Sequence, residues 1–491
     1  MSSGSPVTYS RIDWRLEDAA EMANTDARLE ALRSAASPSV FDVIQRMVLE
    51  APDAMLCRVN ALEVASEHGL DERETIDGFL HASKIGLFDM SWNLLCPGCG
   101  GVLDATSSVK SLTSECYQCR LCAGSYEPNL DERVEVSFTL SPSVRRIAAH
   151  SPDTLNFWEY NRHMYFSNAL RLPRGEAWQK EMAEYTLEAE ELPRDARIIL
   201  SLQVPESFVI VFDAVSHTAV FLDIKGEPTR ERQERTLLYN ASGVSPTQLE
   251  LRPGPIRLTL ENKTSRRLLP GLFNANARFH DLFGRRQPFL TAKRLFTNQT
   301  FRELYRTDTL GVDQKLKLTS LTVLFTDLKG STALYERVGD LVAYEIVQAH
   351  FHVLGDVVRV NSGAIVKTIG DAVMATFPTP DYGLHAALEM RDAMDRLNRG
   401  QNHEDLILKI GMHEGPCLAV TLNDRLDYFG QTVNIAARVQ GLADSRAIFA
   451  TEPVVHHEAV AAILRERRLV PAPQRALLKG IKDELTVYEI G

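Results

Sequence analysis

Two apolar runs in the C-terminal third of the chain each contain one aspartate, and this pattern limits the folds that the region can adopt. The run LTSLTVLFTDL is rich in β-branched residues and contains Asp327 at its end, which predicts a strand. The run AIVKTIGDAVMATF places Gly370 and Asp371 between two apolar halves, a pattern typical of a β-hairpin with a tight turn. Two carboxylates brought to one point repel each other unless a hard cation lies between them, so the pair predicts a Mg²⁺ or Mn²⁺ site.

The segment KGSTALYERVGD predicts a helix that begins just after Gly330, with Ser331 and Thr332 available as caps. A helix N-terminus behind a glycine turn presents free N–H groups, which suit a polyphosphate. A second helix is predicted from one apolar face, formed by Val347, Phe351, Leu354 and Val358. These four residues are expected in the core rather than at a ligand.

Further along, LILKIGMHEGPCLAV predicts a second hairpin, and Thr432 is the predicted N-cap of a helix that runs to about Leu442. Asn434 and Arg438 are four residues apart and therefore share a face of that helix. An Asn and an Arg projecting together beside phosphates can stabilise the charge that develops during phosphoryl transfer. The structural alternative is a polar pair on the surface of an amphipathic helix.

These motifs together resemble the catalytic domain of the class III adenylate and guanylate cyclases over residues 317–491. The resemblance implies a cyclase fold with a ferredoxin-like βαββαβ core. It implies that Asp327 and Asp371 bind two Mg²⁺ or Mn²⁺ ions per active site. It also implies that Lys367, four residues before the second Asp, and Asp427, seven before the Asn, recognise adenine.

The same resemblance implies that Asn434 orients the ribose, that Arg438 stabilises the transition state, and that Lys479 or Lys482 contacts the triphosphate. One departure is Pro416, which stands where many family members carry an Arg that holds phosphates. In the family, each site lies at a head-to-tail dimer interface. Since this chain has one such domain holding both half-sets, a homodimer with two equivalent sites is expected.

The expected substrate follows from the hydrogen-bonding groups on the edge of the nucleotide base that Lys367 and Asp427 would contact. Adenine offers an N6 donor and an N1 acceptor, which an acceptor (Asp427) and a donor (Lys367) complement. Guanine presents the reverse pattern, and guanylate cyclases commonly carry Glu and a smaller polar residue at these positions. ATP is therefore the expected substrate, with cyclic AMP and pyrophosphate as products, and a guanylate cyclase is the alternative.

Five of the seven cysteines lie within residues 96–122, a crowding typical of a metal cluster rather than of a disulfide framework. The spacing C-x2-C-x19-C-x2-C predicts a structural, zinc-ribbon-like Zn²⁺ site formed by Cys96, Cys99, Cys119 and Cys122. Cys116 makes a further C-x2-C pair with Cys119, so the choice of four ligands stays open. A redox switch and a nucleic-acid-binding ribbon are the alternatives. Cys57 and Cys417 are isolated and expected to be buried.

The rest of the N-terminal part divides by pattern into a multi-domain α+β arrangement. Residues 1–92 predict a helical region with Asp71 as one N-cap, either of winged-helix type or a plain helical bundle. Residues 93–131 form the cysteine-rich insert. Residues 132–275 contain short apolar runs between turn signals and predict an antiparallel β-sandwich. Residues 276–316 predict one or two helices, either a transducer of a signal or a packed linker.

Composition excludes several classes. The net charge of −11 argues against broad binding to nucleic acid or anionic lipid. No run approaches the roughly 18–20 apolar residues that a membrane span needs, and the N-terminus lacks the layout of a signal peptide. With the cysteine usage, these features predict a cytoplasmic, reducing location.

The chain is thus predicted to be a class III adenylate cyclase regulated by its N-terminal region. In its layout it resembles bacterial multi-domain cyclases whose zinc-containing N-terminal region is uncharacterised. A nucleotide-binding sensor or scaffold that keeps the cyclase fold without catalysis is the main alternative. A zinc-ribbon, winged-helix-like nucleic-acid binder is a second.

Overall fold

The computed structural model describes residues 14–108, 111, 117–126, 133–306, 316–401, 407–422, 425–443, 446–481 and 484–491. The helices are α1 (Trp14–Ala35), α2 (Pro38–Glu50), α3 (Ala61–His68), α4 (Glu72–Lys84), α5 (Phe157–Tyr160), α6 (Glu176–Ala183), α7 (Ala277–Gly284), α8 (Ala292–Phe296), α9 (Gln299–Leu304), α10 (Ser331–Val338), α11 (Asp340–Val360), α12 (Pro380–Gln401), α13 (Gln431–Gln440), α14 (Glu452–Val455) and α15 (Glu458–Glu466). Among these described helices, none is both long and apolar enough to cross a membrane.

The strands alternate with the helices in a mixed α/β, multi-domain chain. They are β1 (Phe88–Leu95), β2 (Val102–Thr106), β3 (Tyr117–Cys119), β4 (Gly124–Tyr126), β5 (Val134–Leu140), β6 (Thr186–Ala189), β7 (Arg197–Val204), β8 (Ser207–Asp213), β9 (Thr218–Ile224), β10 (Gln233–Asn240), β11 (Gly243–Ser245), β12 (Gln248–Leu251), β13 (Gly254–Asn262), β14 (Pro270–Asn274), β15 (Leu316–Lys329), β16 (Ala364–Ile369), β17 (Ala372–Phe377), β18 (Ile407–Leu422), β19 (Arg425–Phe429), β20 (Ile448–Thr451), β21 (Ala472–Ala476) and β22 (Leu485–Ile490).

The N-terminal helices pack with a three-stranded sheet of order β2-β1-β5. The prediction that Asp71 caps a helix is confirmed, because its Oδ1 accepts the backbone N–H of Glu74 at 2.9 Å at the start of α4. Gly78 lets α4 approach α2 closely, since a Cβ there would lie 2.4 Å from Cγ1 of Val40. Helix and sheet together bury one continuous apolar core in this region.

Two sheets of order β11-β10-β13-β7 and β12-β9-β8-β14-β6 follow, and their apolar side chains form one core. The prediction of an entirely antiparallel arrangement is wrong, because β10 pairs with β13, and β12 with β9, in parallel. The chain leaves the first sheet after β11, adds β12 to the second, and returns as β13 beside β10. Apolar alternation gives the faces of a strand but not its direction, so the sequence did not indicate this crossover.

The C-terminal region is built on an eight-stranded sheet of order β16-β17-β15-β18-β20-β22-β21, with β19 paired to β18. Helices α11 and α12 cover one face and share a core with it. The predicted core face of α11 is confirmed, since Val347, Leu354 and Val358 are buried and Phe351 is partly buried against the same core.

The predicted hairpin in LILKIGMHEGPCLAV is wrong, because residues 407–420 of this segment lie in the single 16-residue strand β18, whose hairpin partner is β19. Pro416 lies within this strand. It lies opposite a bulge in β15, where the register passes from Leu318↔Cys417 to Leu321↔Gly415. A proline lacks the backbone N–H, and a bulge is a place in a sheet that tolerates this loss.

The opposite face of the C-terminal sheet is covered by the N-terminal region. One apolar cluster contains Trp92, Phe296 and Phe301 from the N-terminal region together with Val323 and Met374 from the sheet. Residues 276–316 are predicted to form one or two helices, whereas residues 276–306 contain three short ones, α7, α8 and α9. Residues 307–315 lie outside the described part of the chain. Helices α8 and α9 therefore sit directly against the strands that carry the predicted site residues.

Candidate active site

The two predicted metal carboxylates lie close together at one end of the C-terminal sheet. Asp327 is near the end of β15, and Asp371 follows Gly370 in the turn between β16 and β17. Gly370 has φ 63°, which a residue without Cβ adopts readily, and the hairpin prediction is confirmed. Oδ2 of Asp371 accepts the backbone N–H of Leu328 at 3.3 Å.

Burial, and then the neighbouring Asp371 carboxylate, raise the pKa of Asp327. A carboxylate whose charge is disfavoured by a neighbouring carboxylate fits a divalent cation, because the cation removes the repulsion and accepts oxygen ligands from both. The pair itself is therefore a suitable Mg²⁺ or Mn²⁺ site.

Two residues that sequence reasoning missed also act on Asp327. Lys409 is its register partner on β18, and the Lys409 charge and a hydrogen bond from the Gln440 side chain both lower the pKa of Asp327. Gln440 reaches Asp327 because the backbone of α13 packs closely against β18. A Cβ at Gly411 would lie 2.1 Å from the backbone nitrogen of Gln440. No motif in the sequence indicated either residue, although a glycine in a buried strand is a known sign of close backbone approach.

The predicted base-recognition pair is brought together. Nζ of Lys367 donates to Oδ2 of Asp427 at 2.6 Å, and Oδ1 of Asp427 accepts the backbone N–H of Tyr428 at 2.8 Å. The Lys367 side chain is 41% exposed and that of Asp427 is 12% exposed. A donor and an acceptor thus stand side by side, and the acceptor is buried and held by the backbone.

Helix α13 presents Asn434 and Arg438 on its exposed face. The prediction that Thr432 is the N-cap is wrong, because Gly430 occupies the cap and Thr432 Oγ1 donates to the carbonyl of Pro416 instead. The helix also ends earlier than expected, at Gln440. The shared face of the Asn and the Arg follows from their spacing and does not depend on the cap.

The predicted phosphate contacts are placed only in part. Helix α10 begins at Ser331, just after Gly330, as predicted, but Ser331 and Thr332 are not its caps, because Gly330 itself is the N-cap, with φ 76°. The side chains of Ser331 and Thr332 lie outside the described part of the structure. Lys479 is exposed between β21 and β22, and Lys482 lies outside the described residues.

The four cysteines of the predicted zinc site converge. The Sγ atoms of Cys96, Cys99, Cys119 and Cys122 all lie within 4.8 Å of one another, and three of the four residues are buried. The Sγ–Sγ distances are 3.8 Å for Cys96–Cys122 and 3.7 Å for Cys99–Cys119. A tetrahedral ion with metal–sulfur distances of about 2.3 Å has sulfur–sulfur edges of about 3.8 Å. The donor set fits a closed Zn²⁺ site, while Cys116 lies outside the described residues.

The fold and the grouping of these residues define the C-terminal region as a class III nucleotide cyclase domain. The family model for the adenylate and guanylate cyclase catalytic domain matches residues 314–490. The chain as a whole belongs to a family of unknown function, DUF5939, whose model matches residues 22–303.

Similar proteins match the C-terminal region. An adenylate cyclase of Anabaena cylindrica is 28% identical over 185 residues, which is 35% of this chain and 36% of that protein. Adenylate cyclase 2 of Rhizobium meliloti is 34% identical over 131 residues, covering 24% of this chain and 36% of that protein. The chain therefore spans about a third or less of the curated relatives it matches. The crystal structure of the adenylyl cyclase CyaB from P. aeruginosa is matched over 36% of this chain and 96% of that one, with 20% identity and a TM-score of 0.32.

Proposed function

We propose that this protein is an adenylate cyclase that converts ATP to 3′,5′-cyclic AMP and pyrophosphate. The observation that carries the proposal is the Lys367–Asp427 pair, with Nζ and Oδ2 2.6 Å apart. A base inserted here would accept a hydrogen bond from Lys367 at N1 and donate one from N6 to Asp427, which is the pattern of adenine. The matched proteins from Anabaena cylindrica and Rhizobium meliloti, both named adenylate cyclases, support the same choice.

In this proposal Asp327 and Asp371 hold two divalent cations, which when bound neutralise the triphosphate and favour ionisation of the ribose 3′-hydroxyl. Asn434 orients the ribose so that its 3′-oxygen lies in line with the α-phosphorus. Arg438 donates to the oxygens on which negative charge grows as the bond to pyrophosphate breaks. The backbone N–H groups at the N-terminus of α10, just after Gly330, donate hydrogen bonds to phosphate oxygens, and Lys479 or Lys482 contacts the same phosphates.

We further propose that the active form is a head-to-tail homodimer in which one chain supplies the two aspartates and its partner supplies the base pair and the α13 residues. Support comes from the surface beside the base pair, where Ile369 is 55% exposed and Phe429 is 62% exposed. Large apolar side chains at a polar site are typical of a surface that a partner covers. A test is to mix the inactive variants Asp327→Ala and Arg438→Ala, since a heterodimer regains one intact site. If heterodimers form and no activity returns, the shared site is wrong.

The cysteine cluster is proposed to hold one structural Zn²⁺ per chain. The spacing of its sulfur atoms fits tetrahedral coordination. The cluster lies at the edge of the aromatic core around Tyr165, so a bound ion would hold the cysteine segments against this core. A closed four-thiolate site leaves no open position for catalysis.

The deciding experiment is product analysis with the purified full chain, supplied with ATP or GTP in Mn²⁺ or Mg²⁺. Formation of cyclic AMP from ATP in clear preference to cyclic GMP from GTP is the expected result. Cyclic GMP as the main product would replace this proposal by a guanylate cyclase. Nucleotide binding without any cyclic product would indicate a sensor that keeps the cyclase fold.

A further inference from the structure

The two residues proposed to read the base are carried by strands that do not pair with each other. Lys367 lies on β16 and Asp427 on β19, and β17, β15 and β18 stand between these strands in the sheet. Their relative position is therefore not fixed by a shared ladder of backbone hydrogen bonds. A contact from outside the sheet that joins the two strands directly would therefore act on the position of the pair.

Arg302 on α9, at the end of the N-terminal region, joins these two strands. Its Nη2 donates to the carbonyl of Leu426 at 2.7 Å and to that of Val366 at 3.5 Å. These carbonyls belong to the residues that directly precede Asp427 and Lys367. One guanidinium thus contacts the backbone next to both members of the base pair, while its centre lies 6.0 Å from the Tyr428 ring.

A bulge explains why the backbone of β16 is open to α9. The β16–β17 register shifts between Ile365 and Lys367, so Val366 has no partner in that ladder. The Gln299 side chain on α9 accepts the backbone N–H of Ile365 at 2.9 Å, and Arg302 takes the Val366 carbonyl. A bulge redirects the side chain that follows it, so support of this bulge by α9 also sets the direction of Lys367.

The other side of α9 is anchored in the N-terminal core. Phe301 is buried, with its ring centroid 6.0 Å from that of Trp92. Asn298 caps the helix through Phe301 N–H and also donates to Asp77 on α4 at 2.8 Å. A shift of α4 would therefore move α9, and a cavity of about 140 Å³ between α9 and the two strands leaves room for such a shift.

We propose that Arg302 is a positioning residue for base recognition, and that α9 is the element through which the N-terminal region controls the affinity and base preference of the cyclase site. This inference rests on the proposed function, because it assigns a purpose to the Lys367–Asp427 pair. It adds a residue outside the catalytic domain, and a physical route from the N-terminal region to the substrate.

The test uses full-length Arg302→Ala and Arg302→Lys, with Glu303→Gln as the matched control. Glu303 lies on the same helix and pairs with Arg359 at 3.3 Å. Two readouts are compared: KM and kcat for ATP and GTP, and calorimetric binding of the non-cyclising analogues 3′-deoxy-ATP and 3′-deoxy-GTP in Mn²⁺. Urea unfolding establishes that each variant is folded.

Arg302→Ala is expected to weaken 3′-deoxy-ATP binding and to raise KM for ATP by about 10-fold, with a smaller change in kcat and a reduced preference for adenine over guanine. Arg302→Lys is expected to be intermediate, since an ammonium reaches one carbonyl more easily than two, and Glu303→Gln to match the parent. A purely structural role would lower both affinities equally.

Unchanged affinity and base preference in folded Arg302→Ala would overturn the inference, as would the same change in Glu303→Gln. If the parent chain forms no cyclic product but Arg302→Ala still weakens analogue binding, the proposed reaction is wrong and the inference about Arg302 holds. A parent chain that binds neither analogue would remove both.

Discussion

Replacing Asp371 by Asn should stabilise the metal-free protein while abolishing its metal-dependent activity. The substitution removes one of two neighbouring carboxylates, and the Asn oxygen can still accept the N–H of Leu328 that Asp371 accepts at 3.3 Å. The pKa of Asp327 is raised first by burial and then by Asp371. Removing the Asp371 charge lowers that pKa and relieves the repulsion that the folded state carries.

The size of the effect follows from the partial exposure of both carboxylates. Two like charges in contact repel by about 1–4 kcal/mol for effective dielectric constants between about 80 and 20. Solvent screening at partly exposed positions reduces the net value to about 1 kcal/mol or less. Cation binding acts in the opposite direction and far more strongly, since a ligand at 100 times its Kd stabilises the folded state by about 2.7 kcal/mol.

The order of stability should therefore reverse with metal. Thermal unfolding is measured for the parent and Asp371→Asn in metal-free buffer and in Mn²⁺, without chelator, so that the cysteine cluster is undisturbed. In metal-free buffer the variant unfolds at the same or a higher temperature, whereas in Mn²⁺ the parent is the more stable. Cyclase activity of the variant falls by at least about 100-fold.

Asp356→Asn is the matched control, because Asp356 is an exposed carboxylate on α11. It should change neither the activity nor the response to Mn²⁺. The reasoning is refuted if Asp371→Asn keeps the full Mn²⁺ stabilisation, or if it lowers the stability of the metal-free protein as a lost structural contact would.

Three further changes have definite expected outcomes. Gly411→Ala should lower the free energy of unfolding, measured in urea, by about 2 kcal/mol or more, because the new Cβ would lie 2.1 Å from the Gln440 backbone. Gly355→Ala on α11 is the control and should be neutral or stabilising, because its Cβ would lie 3.7 Å from the nearest atom. Burial lowers the pKa of His350 to about 4, whereas the value in the unfolded chain is about 6.5. Between these limits the unfolded chain binds more protons, so the free energy of unfolding falls as the pH drops. In urea titrations between pH 7 and pH 5, His350→Phe should therefore lose about 2 kcal/mol less of this free energy than the parent. Cys119→Ser should reduce the zinc content measured by elemental analysis from one ion per chain to a small fraction and lower the unfolding temperature, and a variant with full zinc content would exclude Cys119 as a ligand.

Much of the candidate site could be predicted because its signals are local. A carboxylate at the end of an apolar strand, a glycine in a two-residue turn, and polar residues four apart on a helix depend on short-range backbone geometry. The structure accordingly places Asp327, Asp371, Asn434 and Arg438 on the expected elements. The convergence of the four cysteines could be predicted for a similar reason, since two C-x2-C pairs each bring their thiols together locally.

The sequence by itself determined which residues stand at strand ends, in turns and on one helix face, because neighbours along the chain settle those features. The tertiary structure alone decided which distant segments meet. Where a hairpin was predicted, the chain forms one continuous strand with a bulge opposite Pro416. Lys409 and Gln440 lie beside Asp327 because helix α13 approaches β18 closely at Gly411. The tertiary structure also set Arg302 against two strands that do not pair with each other. Such contacts depend on how sheets and helices pack, and no spacing within the sequence encodes them.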